Sequence, residues 1–311
     1  MPSKTKIEWA DYVTNPVRAK KYSPHPGLPP NTESANLGEG AKQGFVCVKI
    51  SEGCAHCWAS SMNVRLGTGL EYSLPNLARV STFINRKELE AIRTFRPKGP
   101  FKNGRDRALV FPCDMTDLFG EWMSDSDIGA VFNALASRED VDFLILTKRP
   151  GKAATWLNAW RNLNGGVVRN VMIGCSVEND RRAQERMPFM RFIARMGFRT
   201  VASYEPALDV VDWNGWEFLD GMICGGESGN QARPMPPIAA RISLAFCQSH
   251  DIPFFFKQRG EWMPVSDALA KGWTTYKNRP VEMYGEMVVK VGKGLAGHVL
   301  EGREWRQMPN G

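Results

Sequence analysis

From residue 108 onward, short apolar runs rich in β-formers alternate with stretches of helical spacing, the pattern of βα units around a parallel sheet. The runs ALVFPC (108–113), DFLILT (142–147), NVMIGCSV (170–177), FRTVASY (198–204), DGMICGG (220–226) and IPFFFK (252–257) predict strands. Helices are predicted over 125–137, 151–163, 180–196 and 236–250. Each connection is long enough for a right-handed crossover. A further strand at GFVCVKI (44–50) brings the count to about seven parallel strands. The expected fold class is therefore α/β, a complete or partial (β/α) barrel. A doubly wound open sheet is the alternative, since strand order is not contained in one sequence.

Two segments break this rhythm. Residues 17–43 are rich in Pro, Gly, Ser and Asn and read as a long surface loop, and the residues after 259 read as hairpins. The expected division is a barrel domain over 1–259 with a loop insertion at 17–43, and a hairpin-rich appendage over 260–311.

Composition narrows the setting. A chain of 311 residues that is 43% hydrophobic can bury one large core. No apolar run approaches the eighteen or so residues that span a bilayer, so a cytoplasmic protein without a membrane partner is expected. Seven cysteines are too few and too uneven for a disulfide scaffold. The excess of 40 basic over 33 acidic residues, net +7, favours polyanionic partners such as nucleic acid, although the charges are scattered.

The strongest chemical signal is CVKISEGCAHC, which places Cys47, Cys54 and Cys57 in a C-x6-C-x2-C spacing after a predicted strand. Closed zinc sites normally take four ligands, and His56 lies awkwardly between two of the cysteines. An iron–sulfur cluster on three thiolates leaves one iron open to bind and reduce a cofactor. Unliganded thiols are the third reading.

Ordered segments then point to a family. KIEWADYVTNP (6–16), SEGCAHCWA (51–59), DMTDLF (114–119), LTKRP (146–150), GCSVEN (174–179), ICGGESG (223–229), ARPM (232–235), PFFFKQ (253–258) and EGREW (301–305) resemble the phage-associated three-Cys-motif proteins. That family is of largely unassigned activity and itself resembles radical S-adenosylmethionine (SAM) enzymes. Here residues 17–46 separate the Asn-Pro of the opening motif from the first cysteine, and Trp58 stands where a tyrosine is usual. The resemblance implies a barrel, a 4Fe-4S cluster on Cys47, Cys54 and Cys57, SAM as cofactor and an electron donor. It also implies reductive release of a 5'-deoxyadenosyl radical that acts on a nucleic-acid base, nucleotide or modification intermediate, and a partner protein encoded nearby.

Strand-end residues supply the candidates for cofactor and substrate. Gly225 and Gly226 permit close approach of a ligand, with Glu227 and Ser228 beside them; a helix-capping turn is the competing reading. Lys148 and Arg149 follow one strand and suit a SAM carboxylate or a phosphate, unless they form structural ion pairs. Asp114, Thr116 and Asp117 follow another strand, Ser176 a third, and Lys257 ends the last. Glu178 and Glu205 are the favoured acid–base pair. Cys113, Cys175 and Cys224 are either hydrogen-atom donors or buried small hydrophobes. Two competing functions are a zinc-stabilised nucleic-acid-binding protein that uses its ten tryptophans for stacking, and a non-catalytic cluster-binding subunit.

Overall fold

The structure, a computed structural model, describes residues 1–21 and 42–309. The chain divides into two compact units, one of residues 1–101 and 106–172, the other of 102–105 and 173–311.

In the first unit, strand β1 (Ser3–Lys4) pairs antiparallel with β2 (Tyr12–Thr14). A separate antiparallel sheet follows, ordered β4-β3-β5, made from β3 (Val17–Lys21), β4 (Gln43–Gly44) and β5 (Val80–Ile84). Helices α1 (Trp58–Leu66) and α2 (Leu74–Leu77) lie between β4 and β5, and α3 (Arg86–Thr94) follows β5. Then come β6 (Leu109–Pro112), α4 (Asp125–Ala136), β7 (Asp142–Thr147) and α5 (Pro150–Asn164). The pairs β2·β6 and β6·β7 are parallel.

Local chemistry sets these helix ends. The Ser124 hydroxyl accepts from the Asp127 amide to cap α4, and Asn85 accepts from Glu88 to cap α3. Pro150 opens α5, and Gly165 at φ 71° ends it in the left-handed region. Ile128, Val131, Phe132 and Leu135 of α4 are fully buried, each burial stabilising by about 1.5–3 kcal/mol.

Strand β8 (Val171–Ser176) passes from the first unit to the second. The second unit continues with α6 (Asp180–Arg195), β9 (Thr200–Tyr204), β10 (Gly221–Gly225), α7 (Pro237–Ser249) and β11 (Phe254–Gln258). The pairs β8·β9, β9·β10 and β10·β11 are parallel. Every residue of β8, β9 and β10 is buried, as parallel strands covered on both faces must be.

Residues after 259 form an antiparallel sheet ordered β12-β14-β13, from β12 (Trp262–Pro264), β13 (Val281–Met283) and β14 (Glu286–Lys290). It packs with α8 (Val265–Ala270) and α9 (Lys293–Ala296) around Met263, Ala268, Val289 and Ala296. A hairpin of β15 (Val299–Leu300) and β16 (Arg303–Glu304) follows.

Hydrogen bonding orders the main sheet β1-β2-β6-β7-β8-β9-β10-β11. From β6 to β11 sheet order follows chain order without reversal. A doubly wound sheet reverses at a switch point, whereas this mixed α/β, mostly parallel sheet has the strand order of a partial βα barrel.

Two expectations are corrected. Of GFVCVKI (44–50), only Gly44 is in a strand, pairing with Ala19. Val46 instead turns into a small cluster with Ala19, Leu70 and Val80, and side chains take up the carbonyls of Val46 and Val48. The place beside β6 belongs to Tyr12–Thr14, a strand too short for its alternation to register. Within the surface loop expected at 17–43, Val17–Lys21 is strand β3, paired along its length with β5; residues 22–41 lie outside the described residues.

Candidate functional site

In the first unit, the cysteine segment is held by side chains rather than by a ladder. Asn63 of α1 accepts from the Phe45 amide at 2.8 Å. The Thr116 hydroxyl donates to the Val46 carbonyl, and Arg149 Nη2 donates to the Val48 carbonyl at 3.1 Å. Cys47 lies between these last two anchors. Cys54 ends a 3-10 turn, Glu52–Cys54, and Cys57 is the N-cap residue of α1. Gly44 fits here because a Cβ would fall 2.7 Å from the Gly67 Cα, where the end of α1 approaches.

The ends of β2, β6 and β7 complete this surrounding. Asn15 donates to Asp114 at 2.5 Å and accepts from the Met115 amide. Tyr72, buried, donates its hydroxyl to the Met115 carbonyl at 2.5 Å. Asp117 accepts from the Thr147 hydroxyl at 2.7 Å, from the Phe119 and Lys148 amides, and from Arg149 Nη1 at 3.0 Å. Arg149 Nε also donates to Glu121 at 2.6 Å, and its guanidinium lies 4.8 Å from the Trp122 ring centroid.

Electrostatics follow from burial. Desolvation, with a smaller push from Asp117 that Arg149 opposes, raises the Cys47 thiol to about 12. Burial likewise raises Cys57, which Lys148 partly offsets, and burial holds Asp114 above the usual carboxylate range. Burial would lower Arg149, but Asp117 and its neighbours outweigh that and fix it as a cation.

In the second unit, the strand ends of β8, β9, β10 and β11 hold a different set. Glu205 accepts from the buried Ser203 at 3.3 Å and pairs with Lys257 at 2.8 Å; Glu205 and Lys257 are half-buried. Gly225 leaves room for them, since a Cβ would sit 3.1 Å from Glu205 Oε1 and 3.3 Å from Lys257 Cβ.

The glycine pair and the remaining acids differ from the expectation. Gly226 admits the chain itself rather than a ligand: a Cβ would lie 2.6 Å from the Arg259 carbonyl carbon and 2.9 Å from the Gly260 amide. Glu227 is buried and clasped by Arg233 through its amide, Nε and Nη2 at 2.6–2.9 Å. Ser228 is exposed and accepts from Gln258 at 3.3 Å. Glu178 is fully buried against Arg186 at 2.7 Å, and the same Arg186 nitrogen donates to the Ser176 carbonyl. A carboxylate so enclosed holds α6 to the end of β8 and offers no face to a substrate.

Cys113 and Cys224 are fully buried and burial raises both thiols; Cys175 is also fully enclosed. All three match the buried-hydrophobe reading better than that of a donor. Sequence reasoning missed Asn15, Asn63, Tyr72, Glu121, Ser203, Arg186 and Arg233 as partners, because their residue types are unremarkable until the fold brings them to the strand ends.

The three free thiols fit a thiolate-held cluster in chemistry and charge. Cys54 and Cys57 lie close enough to add to the rise at Cys47, and Cys54 to the rise at Cys57, with Arg149 and Lys148 nearby to oppose these shifts. Their side chains are not converged: Cys47 Sγ points to the Val48 carbonyl at 3.9 Å and Cys54 Sγ to the Ser51 hydroxyl at 3.6 Å. Among the described residues no three His, Cys, Asp or Glu side chains form a group that would hold a metal ion.

A family model described as "Protein of unknown function (DUF5131)" matches residues 42–309. No curated protein and no solved structure matches the chain.

Proposed function

The chain belongs to the DUF5131 family of proteins of unknown function, a membership that carries no activity, and from its three cysteines together with the resemblance of its motifs to the three-Cys-motif proteins we propose that it is a radical SAM enzyme whose cluster is held by Cys47, Cys54 and Cys57. The observation that carries the reading is the placement of three free thiols on one short segment, against Lys148 and Arg149 at the end of β7. A 4Fe-4S cluster bound there, once reduced by an electron donor, would supply the one electron for cleaving SAM to methionine and a 5'-deoxyadenosyl radical.

The chain's own residues have distinct tasks. Cys47, Cys54 and Cys57 bind; Asn63, Thr116 and Arg149 hold the backbone of Phe45, Val46 and Val48 around the first of them. In the second unit, Glu205 is the carboxylate suited to hold or move a proton, because Ser203 and Lys257 orient it and it keeps some exposure. Glu178 leaves that role. Lys257 and Ser228 are the groups suited to a cofactor or substrate there, since Arg233 occupies Glu227. The partial barrel is consistent with a radical-SAM-type scaffold, and the net charge of +7 suits a nucleic-acid base, nucleotide or modification intermediate as substrate.

Anaerobic purification and iron–sulfide reconstitution, followed by dithionite, SAM and chromatography for 5'-deoxyadenosine, tests the reading. Brown protein that makes 5'-deoxyadenosine, and loses both colour and product in Cys54→Ala, supports it. Colourless protein with stoichiometric zinc and no product overturns it. A stable cluster without SAM cleavage leaves the cluster and removes the enzyme.

A further inference from the structure

Residues 45–50 carry Cys47 yet belong to no strand, so the position of that cysteine depends on the groups that seize the neighbouring peptide units. Two of these are light: the Asn63 amide on Phe45 and the Thr116 hydroxyl on Val46. The third is a guanidinium with only 4% of its side chain exposed. Arg149 directs Nη1 to Asp117 at 3.0 Å, Nε to Glu121 at 2.6 Å and Nη2 to the Val48 carbonyl at 3.1 Å. Trp122 covers one face of the plane. Asp117 is itself locked by Thr147, Phe119 and the Lys148 amide, so the fork is held before it meets the cysteine segment.

We infer that Arg149 is a positioning residue for Cys47, which clamps the cysteine segment through the Val48 carbonyl, and is not a direct ligand of a SAM carboxylate or a phosphate. The inference rests on the three-cysteine reading above. Its geometry is specific to a planar fork: an ammonium offers its donors from a single point on a flexible stem and cannot reproduce the separate Nε, Nη1 and Nη2 bonds to Glu121, Asp117 and Val48. Charge at the site and the position of the loop are therefore separable. A lysine at 149 preserves the charge and forfeits the clamp, whereas a role in charge compensation alone tolerates lysine.

The test compares reconstituted full-length wild type with Arg149→Lys, Arg149→Gln, Glu121→Gln and Cys54→Ala. The readouts are the rate of iron loss to a ferrous chelator and the electron paramagnetic resonance spectrum of the reduced cluster; neither requires turnover. Groups that orient metal ligands typically change metal affinity by about 10–100-fold. Arg149→Lys and Arg149→Gln should both lose iron at least about tenfold faster than wild type, with broadened spectra.

Glu121 is 70% exposed, so Glu121→Gln loosens the outer anchor without burying an unpaired charge, and guards against variants of Arg149 that fail to fold. It should accelerate iron loss by roughly two- to fivefold at unchanged melting temperature. If Arg149→Lys retains iron and the spectrum as wild type does, the clamp is refuted and the cluster reading stands. If Arg149→Lys does not fold and Glu121→Gln releases iron at the wild-type rate, the clamp is likewise refuted. If wild type and Cys54→Ala are indistinguishable, the cluster reading falls and the inference falls with it.

Discussion

Arg186 Nη1 lies 2.7 Å from Glu178 Oε2 and 2.7 Å from the Ser176 carbonyl oxygen, tying the first turns of α6 to the end of β8. Glu178 is fully buried and Arg186 nearly so. Removing one member of such a pair strands a desolvated charge, so Arg186→Met should lower unfolding free energy by about 3–5 kcal/mol. Glu178→Gln keeps an acceptor for Arg186 and should cost less, about 1–3 kcal/mol. Urea unfolding measures both. Equal losses in the two variants would mean that the acceptor kept by the glutamine does not compensate Arg186.

Gly226 of the GGESG turn and Gly166, which follows α5, should not be equally replaceable. Gly226→Ala drives a methyl into the backbone of Arg259 and Gly260, which cannot rotate away, and should cost about 1–3 kcal/mol or more. Gly166→Ala, where a Cβ meets nothing within 4 Å, should be neutral or stabilising by about 0.4–1 kcal/mol. Thermal melts of the pair of variants decide the matter: similar losses in both would show that the tight approach at Gly226 is absent.

Much of this fold is written in the sequence. The strand and helix runs from 108 to 258 emerge within a few residues of their expected ends, because buried parallel strands and capped helices each carry a local signal. The cysteine spacing was legible for the same reason, being short-range. What sequence did not disclose was partnership. GFVCVKI alternates like a strand, yet Thr116 and Arg149, distant in the chain, satisfy its carbonyls. Glu178 and Glu227 look like free acids until Arg186 and Arg233 close on them. In each case the decisive contact joins residues whose identities alone specify no pairing.

Acid should weaken the link between β2 and α3. Burial alone would raise Glu88, but hydrogen bonds from the chain's amino group, the Asn15 amide and the Thr14 hydroxyl outweigh it and hold the carboxyl below 4.5. A carboxyl lowered on folding stabilises above its unfolded value, and the contribution disappears as pH falls through the lower folded value. Wild type should therefore exceed Glu88→Gln in stability at pH 6, and the gap should close below pH 4.5. Denaturant midpoints of both proteins from pH 6 to pH 3 measure it; a gap independent of pH would assign the contact to packing.

Thiol reactivity should separate folded from unfolded chain. With Cys47 raised to about 12 and an unfolded thiol near 8.5, its thiolate fraction at pH 8 falls roughly a thousandfold on folding. Burial also raises Cys113, Cys224 and Cys247. In chelator-treated protein, iodoacetamide should modify these four slowly in buffer and rapidly in urea, as peptide mass spectrometry would report. Fast native alkylation of Cys47 at pH 8 would mean that the segment is open rather than clamped.

Asn63 gives the sharpest test of how the cysteine segment is built. Its carbonyl oxygen accepts from the Phe45 amide at 2.8 Å and the Thr68 amide at 3.3 Å, while its amino group donates to the Thr68 hydroxyl and the Leu70 carbonyl, both at 2.8 Å. Asn63→Asp preserves shape but replaces the donor with an acceptor facing the Leu70 carbonyl, in a site only 1% exposed. The expected loss is about 2–4 kcal/mol at neutral pH, from an unmade hydrogen bond and a desolvated charge. Burial raises the introduced carboxyl, so its neutral form is favoured on folding; the deficit is greatest at neutral pH, shrinks as pH falls through the raised folded value and levels off below the ordinary carboxylate range. Asn63→Ala, with nothing to titrate at that position, should show a deficit that varies little over the same interval. Parallel deficits in the two variants from pH 7 to pH 4 would mean that the introduced carboxylate stays hydrated, and that the position is not enclosed between Phe45 and Leu70.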